Sequence, residues 1–118
     1  MSSCAAVTVF APSRGPELSE AIGHSLDALS FLDWGGGLLW LAVAGAEDGG
    51  AAVIRSAIRG ADGRGTGHAT IIRGSAALRR AVPVFEPQAP ALAALSARIK
   101  EGFDPRRILN RGRIVAEA

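Results

Sequence analysis

The sequence predicts an α+β domain: one four-stranded antiparallel sheet, helices on one of its faces and an extra helix near the C-terminus. Three observations lead there. The hydrophobic period switches several times between two residues and about 3.6. Glycine and proline clusters mark the switches. The elements they bound follow the order β-α-β-β-α-β.

"AAVTVFA" (5–11) is short and rich in β-branched residues, which suits a strand. "APSRGP" breaks it, and "PELSEAIGHSLD" then places Leu18, Ala21, Ile22 and Leu26 at helical spacing. A helix near 16–26 follows: Pro16 sits in a first turn that needs no amide donor, and Glu17 and Glu20 suit the positive end of the helix dipole. "ALSFLDW" (28–34) and "GLLWLAV" (37–43) are apolar runs joined across "GGG", a hairpin with strands near 28–34 and 38–44. "EDGGAAVIRSAIRG" sets Val53, Ile54, Ala57 and Ile58 on one helical face and Arg55 and Arg59 outside it, a helix near 48–60. "GADGRGTG" ends that helix, and "HATIIRG" supplies a fourth strand near 67–73. The proline-punctuated "AVPVFEPQAP" leads to a helix near 89–101, where Leu92, Leu95 and Ile99 share a face until "GFDP" stops it.

This order is the ferredoxin-like split βαβ arrangement, with the first and third strands central and adjacent. Two short helices cover one sheet face. The strands carry Phe10, Phe31, Trp34 or Trp40 on one side or the other, so the open face is expected to be partly apolar, and such a face expects a partner. A homo-oligomer formed through the open sheet face is the simplest expectation.

At 118 residues the chain has the size of a single small domain. Much of its apolar share is alanine, with no tyrosine, four phenylalanines and two tryptophans, so the core must be modest. The net charge is +2, and Lys100 is the single lysine among the cations. Few aromatics are available to stack on bases, which argues against nucleic acid as a partner. Cys4 is the lone cysteine, which excludes an internal disulfide and a cysteine metal framework and fits a reducing, cytoplasmic compartment. Residues 1–12 lack a secretory pattern, and no apolar run approaches the roughly 18 residues of a membrane span.

Gly63, Gly65 and Gly67 are spaced like a nucleotide loop. The dinucleotide fingerprint, however, follows a strand and opens a helix, whereas here the order is reversed, so the stretch reads as a turn. His24 and His68 fall far apart, on a helix and a strand, and neither points to a metal. Cys4 has no evident base beside it and does not read as a nucleophile. "DWGG" (33–36) holds Trp34 on a glycine turn, either as a core residue at the sheet end or as a contact for a partner domain. No self-contained catalytic apparatus emerges, so the isolated chain is not expected to be catalytic.

Four strings occur in order: "DWGGGLLWL", "GTGHATIIRG", "VFEP" and "FDPRRILNRGR". Together they make residues 5–115 resemble the C-terminal part of the FAD-binding E subunit of bacterial glycolate oxidase, within the vanillyl-alcohol-oxidase class of FAD-linked oxidases. The family's pattern reads Asp-Trp-Gly-Gly-x-x-Arg-Trp-Leu, Gly-Gly-His-Ala-Thr, Val-Phe-His-Pro and Phe-Asp-Pro-x-x-Ile-Leu-Asn-Pro-Gly-Arg. The resemblance implies a ferredoxin-like cap domain that closes over the isoalloxazine edge while a separate domain holds most of the FAD. The whole subunit would oxidise a 2-hydroxy acid to a 2-oxo acid with transfer to flavin. Three cofactor-binding residues carry over: Asn110 as an amide that donates and accepts, Gly112 for close backbone approach, and Arg113 as positive charge beside flavin or carboxylate. Three positions depart from the pattern: Leu39 for arginine, Glu86 for histidine and Arg111 for proline. The FAD-holding portion is not in this sequence, so FAD is expected in the complete subunit or complex and not on this chain alone. The expected partners are the FAD-binding domain or other glycolate oxidase subunits. From a different class comes the alternative of a non-catalytic ferredoxin-like interaction module.

Overall fold

The structure, a computed structural model, describes residues 3–114. The chain divides after Glu86 into two compact units. The first contains β1 (Ser3–Phe10), α1 (Gly15–Ser25), β2 (Ala28–Asp33), β3 (Leu38–Ala44), α2 (Ala51–Arg59), β4 (Gly67–Arg73) and α3 (Ala76–Ala81). Its four strands form one sheet in the order β2-β3-β1-β4, with every neighbouring pair antiparallel. The first and third strands are therefore central and adjacent, as the ferredoxin-like arrangement requires.

Period two divides the sheet into faces. Cys4, Ala6, Thr8 and Phe10 of β1 are buried on the helix side, opposite Val43, Leu41 and Leu39 of β3 and beside Ile71 and Ala69 of β4. α1 and α2 close over that face. Leu18 and Ile22 lie one turn apart on α1, as do Ile54 and Ile58 on α2, and all four join Phe10, Leu39, Leu41, Val43 and Ala69 in the core. Full burial of each such aliphatic side chain contributes about 1.5–3 kcal/mol. Arg14, just before α1, donates from Nη1 to the Ile58 carbonyl at 2.9 Å, satisfying an orphan acceptor at the C-terminal end of α2.

Glycine is required where the hairpin tip meets α1. A Cβ on Gly15 would come within 2.6 Å of the Gly36 carbonyl oxygen, so no larger residue fits without moving backbone. Gly65 is equally constrained: a Cβ there would run into the carbonyl oxygen of Ile58, because the turn leaving α2 folds back on the helix end.

Two features depart from the sequence expectation. Arg55, expected on the outer face of α2, is only 8 % exposed. Its Nε donates to Glu86 Oε2 at 3.2 Å, and its Nη2 donates to the carbonyls of Pro83 (2.6 Å) and Phe85 (3.1 Å). Partners from residues 83–86 make burial of the guanidinium tolerable. The second departure is α3, which sequence periodicity does not show. It is six residues long and begins at a Ser75 cap, whose hydroxyl accepts from the Leu78 amide at 3.1 Å.

The second unit holds α4 (Pro90–Phe103) and the segment that follows it. Pro90 opens the helix where its missing amide costs nothing. The expected apolar row of Leu92, Leu95 and Ile99 is present, and each of these side chains remains about half exposed.

Candidate functional site

The terminal string is more than a helix stop. Asp104, at the C-terminal cap of α4, is buried, and its carboxylate organises the residues after it. Oδ1 accepts from the Ile108 amide at 3.0 Å, and Oδ2 accepts from the Leu109 amide and from Lys100 Nζ, each at 3.0 Å. Lys100 Nζ also donates to the Leu109 carbonyl at 3.2 Å, and the Arg107 amide to the Asp104 carbonyl at 3.0 Å. The Leu109 amide above all, with the Ile108 amide and the Lys100 ammonium, holds the Asp104 carboxyl below its ordinary range despite burial.

Asn110, Gly112 and Arg113 come together in the turn that follows. The Arg113 amide donates to the Asn110 carbonyl at 3.1 Å. Asn110 (φ 46°) and Gly112 (φ 70°) are both left-handed, a conformation glycine adopts freely and asparagine more readily than most residues. Asn110, Arg111 and Arg113 are exposed, and their side chains make no hydrogen bond or ion pair among the described residues. The sequence reading missed Asp104 and Lys100 as the organisers of this loop. The signal was available in the Lys-x-x-x-Asp spacing, one helical turn, directly before a proline.

The remaining positions of the resemblance lie in the first unit. Leu39, where the family pattern has arginine, is fully buried in the core, so this position reaches no ligand. Glu86, where the pattern has histidine, is engaged by Arg55 and by the Ala69 amide at 3.2 Å. Trp34 is not a core residue: it is 68 % exposed at the hairpin tip and carries φ 52°, unusual for a bulky side chain. The Asp33 carboxylate accepts from its amide at 2.8 Å and its carbonyl accepts from the Gly37 amide at 3.2 Å, which fix the strained turn.

The sheet face away from α1 and α2 carries Leu29 and Phe31 of β2, Trp40 of β3, Val7 and Val9 of β1 and Ile72 of β4. Leu29, Phe31 and Ile72 are all more than half exposed. Phe31 stacks on Trp40.

Gly63, Gly65 and Gly67 lie between α2 and β4, the reverse of a phosphate-cradling turn. His24 is exposed and pairs at 3.7 Å with Glu20, one turn earlier on α1. Among the described residues no group of histidine, cysteine and carboxylate side chains could hold a metal ion. Cys4 is buried, and burial, with the Asp48 carboxylate nearby, pushes its thiol up. A cavity of about 10 Å³ beside Arg55, lined by Ala6, Ile54, Ala69 and Ile71, has room for no more than one water. No helix among the described residues is long and apolar enough to cross a membrane. Compared with protein-family models, with curated proteins and with solved structures, the chain matches none.

Proposed function

We propose that this chain is the cap domain of a glycolate-oxidase-type FAD subunit, in which a 2-hydroxy acid is oxidised to a 2-oxo acid on a flavin held mainly by a separate domain. The observation that supports this reading is the closing loop. Asp104 preorganises it, and its exposed end carries an amide donor–acceptor, a left-handed glycine and an arginine within four residues. These groups suit one polar edge of an isoalloxazine ring. Asn110 can both donate and accept there, and Arg113 brings a fixed positive charge toward a substrate carboxylate. Among the described residues nothing comparable suits the pyrophosphate, because the glycine-rich stretch enters a strand. FAD, when bound to the partner domain, supplies the hydride acceptor. This chain's own residues orient, exclude water and set the local field.

A second reading, a non-catalytic interaction module that associates through its open sheet face, is favoured by the exposed Leu29, Phe31 and Ile72. One experiment separates the two. The chain is mixed with the separately expressed FAD-binding domain of a glycolate oxidase E subunit and assayed for glycolate-dependent dye reduction. The cap reading expects activity that depends on both proteins and falls about tenfold in Asn110→Ala, the loss of one hydrogen bond. FAD added to the chain alone is expected to keep its fluorescence. Self-association without any gain of activity in the mixture sinks the cap reading and leaves the module.

A further inference from the structure

β4 is an edge strand, and edge strands with free amides recruit other strands. Its centre, Ala69–Ile72, is uncharged, proline-free and rich in β-branched residues, a composition that pairs readily. Yet its outward amides are occupied. The Ile71 amide donates to the Val84 carbonyl at 2.9 Å, and the Ala69 amide donates to Glu86 Oε2 at 3.2 Å. Residues 83–86 form no strand, so no regular ladder holds them there. Arg55 does. Its Nε and Nη2 reach Glu86, Pro83 and Phe85 at 2.6–3.2 Å, three bonds from one buried guanidinium.

We infer that residues 83–86 are a strap that keeps β4 from pairing with β4 of a second copy of this chain, and that the Arg55–Glu86 pair holds the strap shut. Glu86 is the pivot, since one of its oxygens satisfies both the guanidinium and a strand amide. Once it is lost, Arg55 keeps only two carbonyls and the Ala69 amide is bare, so the strap is held less firmly over the uncharged centre of β4. Antiparallel β4–β4 pairing about a two-fold axis then satisfies both edges at once.

The test uses the full chain and two variants, Glu86→Ala and the isosteric Glu86→Gln. Amide hydrogen exchange at Ala69 and Ile71 should accelerate about 10- to 100-fold in Glu86→Ala, the range for one lost charge-assisted bond, while Val7 and Val9 of β1 keep their protection. Sedimentation should show concentration-dependent dimers in the variant at concentrations where the parent chain forms none. Glu86→Gln should show the same pattern at smaller amplitude, and it decides the matter if Glu86→Ala does not fold. Three results overturn the inference: unchanged exchange at Ala69 and Ile71, equal acceleration across all four strands, and local opening with no change in association.

Discussion

Phe31 of β2 and Trp40 of β3 lie opposite each other in register, with ring centroids 5.9 Å apart and planes 12° from parallel, yet Phe31 is 61 % exposed. A stacked aromatic pair contributes about 0.5–1.5 kcal/mol beyond its burial. Phe31 nevertheless leaves most of its own surface to solvent, while Trp40 is partly covered. Phe31→Ala should lower stability by only about 1 kcal/mol in urea denaturation and shift Trp40 emission to the red. A loss above about 3 kcal/mol would place Phe31 in the core and remove the case for a docking face.

Leu39→Arg restores the residue of the glycolate oxidase pattern and tests whether the resemblance extends to that position. Leu39 has no exposed surface, and no carboxylate lies among the core residues around it. An unpaired buried guanidinium should cost about 3–5 kcal/mol, a large share of a small domain's stability, and should lower the thermal midpoint by more than about 10 °C. Circular dichroism checks it, and a cooperative melt near that of the parent chain contradicts the buried assignment.

Asp104 gives the closing loop a pH dependence whose sign follows from its depressed carboxyl. The carboxylate's hold on the loop is fully present above the ordinary value of 3.8 and is lost as pH falls through the lower folded value. The Ile108 and Leu109 amide resonances should therefore move together below pH 3.8. In Asp104→Asn that titration should vanish and both amides should exchange faster at neutral pH. Resonances that titrate above 3.8 would show that the carboxylate is not held by these donors.

Cys4 should behave as an inert core thiol. With the side chain buried and its ionisation suppressed, a thiol reagent at pH 8 should react at least about 100-fold more slowly with the folded chain than with the urea-unfolded chain. Fast labelling in the native state would point to local opening of β1.

The arrangement of the sheet is legible in the sequence because the strands show their own period and most boundaries, though not the one between α1 and β2, carry a glycine or proline. Leu18 with Ile22 and Ile54 with Ile58 mark the buried helix faces directly. Arg55 is not legible. Spacing puts it beside Ile54, and burial became tolerable only through a carboxylate and two carbonyls 28 to 31 residues away. α3 escapes because six residues span less than two turns, too few to show a period. Asn110, Gly112 and Arg113 are candidates through resemblance, not through pattern. Their left-handed backbone is a structural fact that no hydrophobic period encodes.

The contacts that shape the closing loop have another consequence, in the order of folding. The bonds to Asp104 close within five residues and the Arg113–Asn110 turn within three, so each costs little chain entropy. The sheet differs: β1 must find β3 some 35 residues on and β4 some 60 residues on before its central position is complete. Contacts of such separation form slowly. The loop's local contacts can thus form early, while formation of the sheet sets the folding rate. Substitutions around Asp104 should leave that rate untouched, whereas those along β1 should govern it.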